Sequence, residues 1–150
     1  MHSDWKFGHV CLVVKDMEKA IKHFESLGVG PFPPMIGGPE GMPLTERTVH
    51  GEPSDYDIDL RVCRGGMGGL EIELIQPLKG RTIYDEFLEE KGEGVHHVMY
   101  NVEDIDKEIA EMEKAGFNII QTGGIEGVKW AYFDTDKVGG MITELGGRKK

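Results

Sequence analysis

The sequence has little that suits a nucleic-acid or membrane protein. Its 150 residues include 17 Lys and Arg against 27 Asp and Glu, for a net charge of -10. A phosphate backbone is bound by clustered basic residues, which this composition does not provide. No apolar run approaches the roughly 18 residues that a membrane-spanning helix needs. We therefore expect a small-molecule partner, with no nucleic acid and no membrane.

Cysteine is also scarce. The two cysteines, Cys11 and Cys63, form no CxxC pair, so neither a disulfide framework nor a thiolate metal site is expected. The first six residues lack the apolar segment of a secretory signal. Together these absences favour a cytoplasmic protein.

Glycine is abundant, with 22 residues, and the chain repeats itself. The 20 residues that start at His9 align without a gap with the 20 that start at His97, and eight of them are identical. Each copy begins with a β-branched, apolar stretch that predicts a strand. An aspartate then caps an amphipathic helix that ends at a glycine: Asp16 with Gly28, and Asp104 with Gly116. The repeat therefore predicts two similar halves.

The remaining elements follow from turn residues and from the apolar pattern. Further strands are predicted at residues 56–63, 70–75, 118–121, 128–133 and 141–145, with a linker helix at 82–91. Residues 31–55 are rich in Pro and Gly and predict a long loop. We predict an α+β fold: two tandem βαβββ modules form a curved mixed sheet around a metal site, with helices on the outside. One domain would fill residues 1–150, with repeat one at about 5–78, the linker helix at about 82–92 and repeat two at about 94–147.

Strand alternation predicts which side chains meet. His9 and His97 occupy equivalent positions and should point away from the helices, as should Glu73 and Glu144 near the ends of the two halves. Two imidazoles and two carboxylates suit a divalent first-row metal such as Co, Mn, Ni, Zn or Fe(II). His96 is expected to point to the helix side, as a structural or supporting residue.

The residues resemble the vicinal-oxygen-chelate superfamily, which includes glyoxalase I, methylmalonyl-CoA epimerase, extradiol dioxygenases and bleomycin-resistance proteins. The resemblance covers about residues 5–147 and is closest to methylmalonyl-CoA epimerase. It lies in Glu-Leu-Ile-Gln-Pro-Leu at 73–78, Gly-Val-His-His at 94–97 and Gly-Met-Ile-Thr-Glu-Leu at 140–145. It implies that His9, Glu73, His97 and Glu144 hold the metal. The 31–55 segment is longer than its epimerase counterpart.

The resemblance also implies a function. We expect a metal-dependent isomerase or epimerase that removes a proton next to a metal-chelated carbonyl, with Glu144, Glu73 or Asp59 as catalytic residues. Alternatives are a glyoxalase I-like lactoylglutathione lyase, an Fe(II) dioxygenase, or a metal-free binding or resistance protein. The substrate would be an acyl-CoA or a hemithioacetal, and the protein a homodimer. Arg61, Arg64 and Lys129 are candidate contacts for CoA.

Overall fold

A computed structural model describes residues 4–150, except for the side chain of Met67. Ten strands form one mixed sheet, and three helices pack on it. The strands are β1 (Lys6–Val13), β2 (Pro34–Ile36), β3 (Thr45–Val49), β4 (Glu52–Pro53), β5 (Asp57–Met67), β6 (Leu70–Lys79), β7 (Gly94–Val102), β8 (Ile119–Ile125), β9 (Val128–Phe133) and β10 (Ile142–Arg148). The helices are α1 (Met17–Ser26), α2 (Ile83–Lys91) and α3 (Ile105–Lys114), with a 3-10 turn at Thr135–Lys137.

The strand order shows the two halves. It runs β2-β5-β6-β1-β7-β10-β9-β8-β3-β4, so β1 and β7 lie together in the middle of the sheet. These two strands are antiparallel. On their far sides, β1 pairs in parallel with β6, and β7 pairs in parallel with β10. The predicted α+β fold of two tandem modules is confirmed.

The helices begin and end where the sequence predicts. The side chain of Asp16 accepts a hydrogen bond from the backbone of Lys19 (3.0 Å), and Asp104 caps α3 in the same way (3.1 Å). Gly28 and Gly116 follow the two helices with φ of 79° and 93°, a left-handed conformation that glycine adopts without strain. The linker helix α2 has a capping box formed by Thr82 and Asp85.

The two faces of the sheet bury different cores. On the outer face, α1 and α3 pack over two clusters, represented by Ile72 and Leu74 in the first half and by Val102 and Leu145 in the second. On the inner face, a third cluster includes residues of β5, β9 and α2, such as Leu60, Tyr132 and Tyr84. The linker helix therefore lies inside the cradle formed by the sheet.

The segment 31–55, predicted to be one long loop, is only partly a loop. This segment contains three short strands, and β3 pairs with β8 at the far edge of the second half. Polar contacts reinforce that pairing: Thr48 and Thr122 share a 2.8 Å hydrogen bond between their hydroxyls, and the Tyr56 hydroxyl donates to the Thr122 carbonyl (2.8 Å). A segment of the first half thus crosses the cradle and extends the second. No helix in residues 4–150 has the length and apolar character to cross a membrane.

Candidate metal centre

Four neighbouring strands each contribute one side chain to the middle of the inner face. The four strands are β6, β1, β7 and β10, and they supply Glu73, His9, His97 and Glu144. The register brings Glu73 and His97 to either side of Cys11, and Met99 next to both His9 and Glu144. The four predicted ligands therefore come together because the two modules meet edge to edge at β1 and β7.

The candidate ligand atoms form a compact cage. All four lie within 4.8 Å of one another. His9 Nε2 is 3.2 Å from Glu73 Oε1 and 3.3 Å from Glu144 Oε2. His97 Nε2 is 3.4 Å from Glu73 Oε1 and 2.8 Å from Glu144 Oε2. Each imidazole thus faces both carboxylates, as donors around one central ion do.

The same four atoms fit a metal by their chemistry. His9 Nε2, Glu73 Oε1, His97 Nε2 and Glu144 Oε2 are buried, form no well-aligned hydrogen bond and have only one another as close polar neighbours. An unsatisfied buried polar group costs about 1–3 kcal/mol, so four that converge on one point call for a ligand between them. Two imidazoles and two carboxylates suit a divalent first-row ion and leave octahedral positions for substrate or water.

The two histidines and two glutamates stabilise one another in their charged forms. Burial disfavours a charge on His9, but Glu73 and Glu144 outweigh that cost and raise its pKa to about 11. The pKa of His97 is also raised, because Glu144 and Glu73 outweigh its burial. Burial is likewise outweighed at Glu73 and Glu144, where the two histidines lower the carboxyl pKa. A metal ion would replace the protons that otherwise balance the two carboxylates.

A β-bulge precedes each histidine. Between β1 and β7 the register shifts at Gly8, just before His9, and shifts again at His96, just before His97. Gly8 and His96 are equivalent in the sequence repeat, so the two halves share this feature. A Cβ at Gly8 would overlap the Met99 sulfur, which occupies that space. The extra residue of a bulge changes the direction of the side chains beside it, and here those side chains are His9 and His97.

His96 lies on the inner face, so the prediction that it points to the outer helices is wrong. The bulge places its Nδ1 2.8 Å from Nδ1 of His97. Its ring packs against Tyr84 (5.3 Å between ring centroids) and Phe87 (5.0 Å) of α2. Burial, and the adjacent His97, hold the pKa of His96 well below its usual value, so the ring is neutral.

That hydrogen bond is compatible with one tautomer of a metal-bound His97. If Nε2 of His97 binds a metal, its proton is on Nδ1 and is donated to the unprotonated Nδ1 of His96. Partners of this kind orient metal-binding histidines and raise their basicity. His96 would therefore orient His97 for metal binding without itself being a ligand. Its position in the repeat, opposite a glycine, was the one sequence signal for a bulge.

Buried tyrosines close one end of the cradle. The hydroxyl of Tyr84 donates to that of Tyr132 (2.6 Å), and the Tyr132 ring lies 4.8 Å from the His97 ring. Both side chains are buried, as are Tyr56 and Cys11. Burial raises the pKa of the Tyr84 and Tyr132 hydroxyls and of the Cys11 thiol, which stay protonated. At this end the centre is therefore covered by buried, uncharged side chains. These tyrosines are not among the site residues predicted from the sequence.

The opposite end of the cradle is open. A cleft of about 610 Å³ is lined there by Met99, Asn101, Gly146 and Arg148, among others. Met99 lies between this cleft and the ligands, as the cross-strand neighbour of His9 and Glu144. A slightly larger cavity, about 650 Å³, is lined by Leu12, Phe24 and other residues of the outer face and by none of the four ligands. None of the four ligands lines the cleft beside Met99 either, but Met99 pairs with His9 and Glu144, so this cleft is the one adjacent to the centre.

Asp59, one of the three candidate catalytic residues, is not part of the four-residue cluster, contrary to expectation. Its neighbours Ile58 and Leu60 belong to the inner core, so Asp59 faces outward. Its carboxylate accepts two hydrogen bonds from Arg61, at 2.9 and 3.0 Å. The inner face of β5 is apolar at this point.

The three candidate CoA contacts are also dispersed. Arg61 is on the outer face with Asp59, and Lys129 pairs with Asp106 of α3 (3.1 Å). Arg64 forms an exposed pair with Glu71 (3.3 Å).

Comparison with known proteins agrees with this geometry. Residues 8–132 match the Glyoxalase/Bleomycin resistance protein/Dioxygenase superfamily. The chain belongs to this superfamily. The uncharacterised protein YqjC of Bacillus subtilis (strain 168) is 27% identical over 81 residues, which are 52% of this chain and 58% of that protein. The match therefore spans less than two thirds of that relative.

Solved structures share the fold at low sequence identity. A hypothetical protein, BH1468, from Bacillus halodurans C-125 superposes with a TM-score of 0.66 at 21% identity, over 99% of this chain and 97% of that one. A variant of Streptomyces coelicolor methylmalonyl-CoA epimerase, in complex with 2-nitronate-propionyl-CoA, gives 0.61 at 16% identity, over 97% of this chain and 99% of that one. These similarities concern the fold.

Proposed function

We propose that the protein is a metal-dependent isomerase or epimerase, with His9, Glu73, His97 and Glu144 as the metal ligands. The observation that carries the proposal is the set of four buried donor atoms that face one another and have no other partner. A bound divalent ion would polarise a substrate carbonyl and stabilise negative charge on its oxygen. Co, Mn, Ni, Zn and Fe(II) all suit these ligands.

The carboxylates of Glu73 and Glu144 are the bases available at the centre. With Asp59 on the outer face, they are the carboxylates that reach the cluster. A carboxylate next to a polarised carbonyl takes a proton from the adjacent carbon and returns it. Glu73 and Glu144 come from opposite halves, so they approach a substrate from two directions. Return of the proton to the opposite face gives epimerisation, and return to the neighbouring carbon gives the isomerisation catalysed by glyoxalase-type lyases.

Two other activities of the superfamily fit less well. An Fe(II) dioxygenase of this fold uses two histidines and one glutamate and leaves the fourth position open, which Glu73 fills here. A metal-free binding or resistance protein of this fold typically lacks the ligands, and this chain has all four. Acyl-CoA and hemithioacetal substrates both remain in the proposal, as do the homodimer and the cytoplasmic location.

Proton exchange at the reacting carbon tests the function directly. Chelator-treated protein, reloaded with Co or Zn, is mixed in deuterated water with methylmalonyl-CoA or with the hemithioacetal of methylglyoxal and glutathione. We expect metal-dependent deuterium incorporation by mass spectrometry, lost in Glu144→Gln and retained in Asp59→Asn. Absence of exchange from both substrates in a protein that binds metal would contradict the proposal and revive the binding-protein alternative.

A further inference from the structure

The open end of the cradle holds an arginine without a partner. The chain has five arginines, and in four of them the guanidinium is hydrogen-bonded: Arg47 to the Tyr56 carbonyl, Arg61 to Asp59, Arg64 to Glu71 and Arg81 to Glu89. Among residues 4–150, nothing pairs with Arg148, which is exposed. In a protein with a net charge of -10, a free guanidinium in a cleft is conspicuous.

Strand geometry places Arg148 on the same face as the metal ligands. Along β10, Glu144, Gly146 and Arg148 alternate onto the inner face, and four residues of strand span about 13 Å. The space over Gly146, between Glu144 and Arg148, is occupied by the methyl group of the flexible Met99 side chain. Asn101 of β7 is opposite Gly146, and Lys6 of β1 is opposite Asn101. Lys6 therefore shares this face and, within the described chain, also has no ion pair.

The cleft at this end lies next to the centre, with the Met99 side chain between the two. Its volume of about 610 Å³ is bounded by Met99 on the side of the ligands and by Arg148 further out. Lys150 lines it as well, but its amine is engaged with Asp104 (3.4 Å). Glu103 lines the cleft where β7 ends. The Arg148 guanidinium and the Asn101 amide are thus the hydrogen-bond donors left for an anionic ligand, and the Glu103 carboxylate is the one negative group in the lining.

We propose that Arg148, together with Asn101 and Lys6, binds an anionic oxygen group, a phosphate or a carboxylate, on the part of the substrate that does not react. A guanidinium binds such groups in a bidentate manner. Local cations also attract an anion that the net negative charge of the protein would otherwise repel. The inference rests on the proposed function, since it names the substrate class of the same site.

Binding of matched thioesters to the zinc-loaded protein tests this inference. Acetyl-CoA carries phosphates, S-lactoylglutathione carries carboxylates, and S-acetyl-N-acetylcysteamine has a thioester but no charge. Calorimetry compares the wild type with Arg148→Gln and with Arg81→Gln, a control that removes an exposed arginine far from the cleft. We expect one anionic thioester to bind about 10–100-fold more weakly to Arg148→Gln than to the wild type, with Arg81→Gln within about twofold.

The outcomes separate this inference from the proposed function. It is overturned if neither anionic thioester binds more tightly than the uncharged one, or if Arg148→Gln binds them as the wild type does. Zinc affinity and melting temperature, measured on all three proteins, should be unchanged, which shows that the variants fold. Failure of the wild type to bind zinc would end the proposed function; Arg148-independent binding to zinc-loaded protein would end this inference alone.

Discussion

The two halves of the molecule share one backbone feature, a β-bulge, but its consequence differs between them. Each half has a bulge just before its ligand histidine. In the first half the bulge residue is Gly8, and the space beside it holds the flexible side chain of Met99 at the entrance to the cleft. In the second half it is His96, hydrogen-bonded to His97 and packed under α2. The repeat supplies equivalent ligands, and the bulge residue decides which side is fixed and which is accessible.

Exposure follows the same division. The His97 side chain is 0% exposed, whereas that of His9 is 11% exposed. The His97 side of the centre is sealed by Tyr84, Tyr132 and His96. We infer that a substrate reaches the ion from the His9 side, past Met99.

The largest expected effect comes from removing either ligand histidine. His9→Ala and His97→Ala should each lower zinc affinity at least about 100-fold, because each removes one of four donors. The two losses should be similar, since both histidines donate to one ion. Competition with a chromophoric chelator measures them. A variant that retains wild-type affinity would show that its histidine is not a ligand.

The next largest effect is expected at His96, because its hydrogen bond to His97 has no counterpart in the first half. His96→Leu removes the acceptor for Nδ1 of His97 and should lower zinc affinity about 10–100-fold. His96→Asn keeps an acceptor atom near the position of Nδ1 and should recover much of that loss. The ¹⁵N chemical shifts of His97 should report its Nδ1-protonated tautomer in the zinc-loaded wild type. Equal affinities of His96→Leu and the wild type would reduce His96 to a packing role.

The dependence of metal binding on pH follows from His9. Without metal, its pKa is raised from 6.5 to about 11, so the proton on His9 stabilises the fold fully below pH 6.5, and this contribution is lost as pH rises towards 11. Zinc must displace that proton. Apparent zinc affinity should therefore increase about tenfold per pH unit for each proton displaced. Calorimetry in buffers of different ionisation enthalpy counts the released protons at neutral pH, and a count of zero would contradict this assignment.

A smaller effect is expected at the first-half bulge. Gly8→Ala forces a methyl group against the Met99 sulfur and should lower the free energy of unfolding by about 1–3 kcal/mol. In a Met99→Ala background the Gly8→Ala substitution should lower the free energy of unfolding by less, because the clashing sulfur is absent. A double-mutant cycle based on chemical denaturation measures this difference. Strict additivity of the two substitutions would mean that the glycine is needed for another reason.

The smallest effect is expected on the outer face. Asp59→Asn weakens the pair with Arg61 and should lower the free energy of unfolding by no more than about 1 kcal/mol, with zinc affinity unchanged within about twofold. Titration with zinc and a thermal melt measure both. A large loss of zinc affinity would restore Asp59 as a candidate for the centre.

Much of this architecture is readable from the sequence because it repeats. The offset between His9 and His97 predicts two equivalent modules, and strand alternation then selects Glu73 and Glu144. The domain bounds drawn from the repeat remain a prediction. Local pattern also predicts the helix caps at Asp16 and Asp104, since these depend on neighbouring residues only.

The features that the sequence did not reveal depend on register or on distant pairing. A single extra residue in a strand reverses the face of the side chain, which is why the expected orientation of His96 was wrong. Asp59 was placed by resemblance, while the register of β5 turns it outward. Strand β3 has no apolar alternation of its own, and its pairing is with β8, more than 70 residues away.

The most direct test of the account is metal content. Protein treated with chelator and dialysed against zinc should bind one ion per chain by elemental analysis, with proton release and a higher melting temperature. His97→Ala should bind none. A wild-type protein that takes up no zinc, cobalt, manganese, nickel or iron(II), or a His97→Ala variant that binds as well as the wild type, would contradict the assignment of the four-ligand centre.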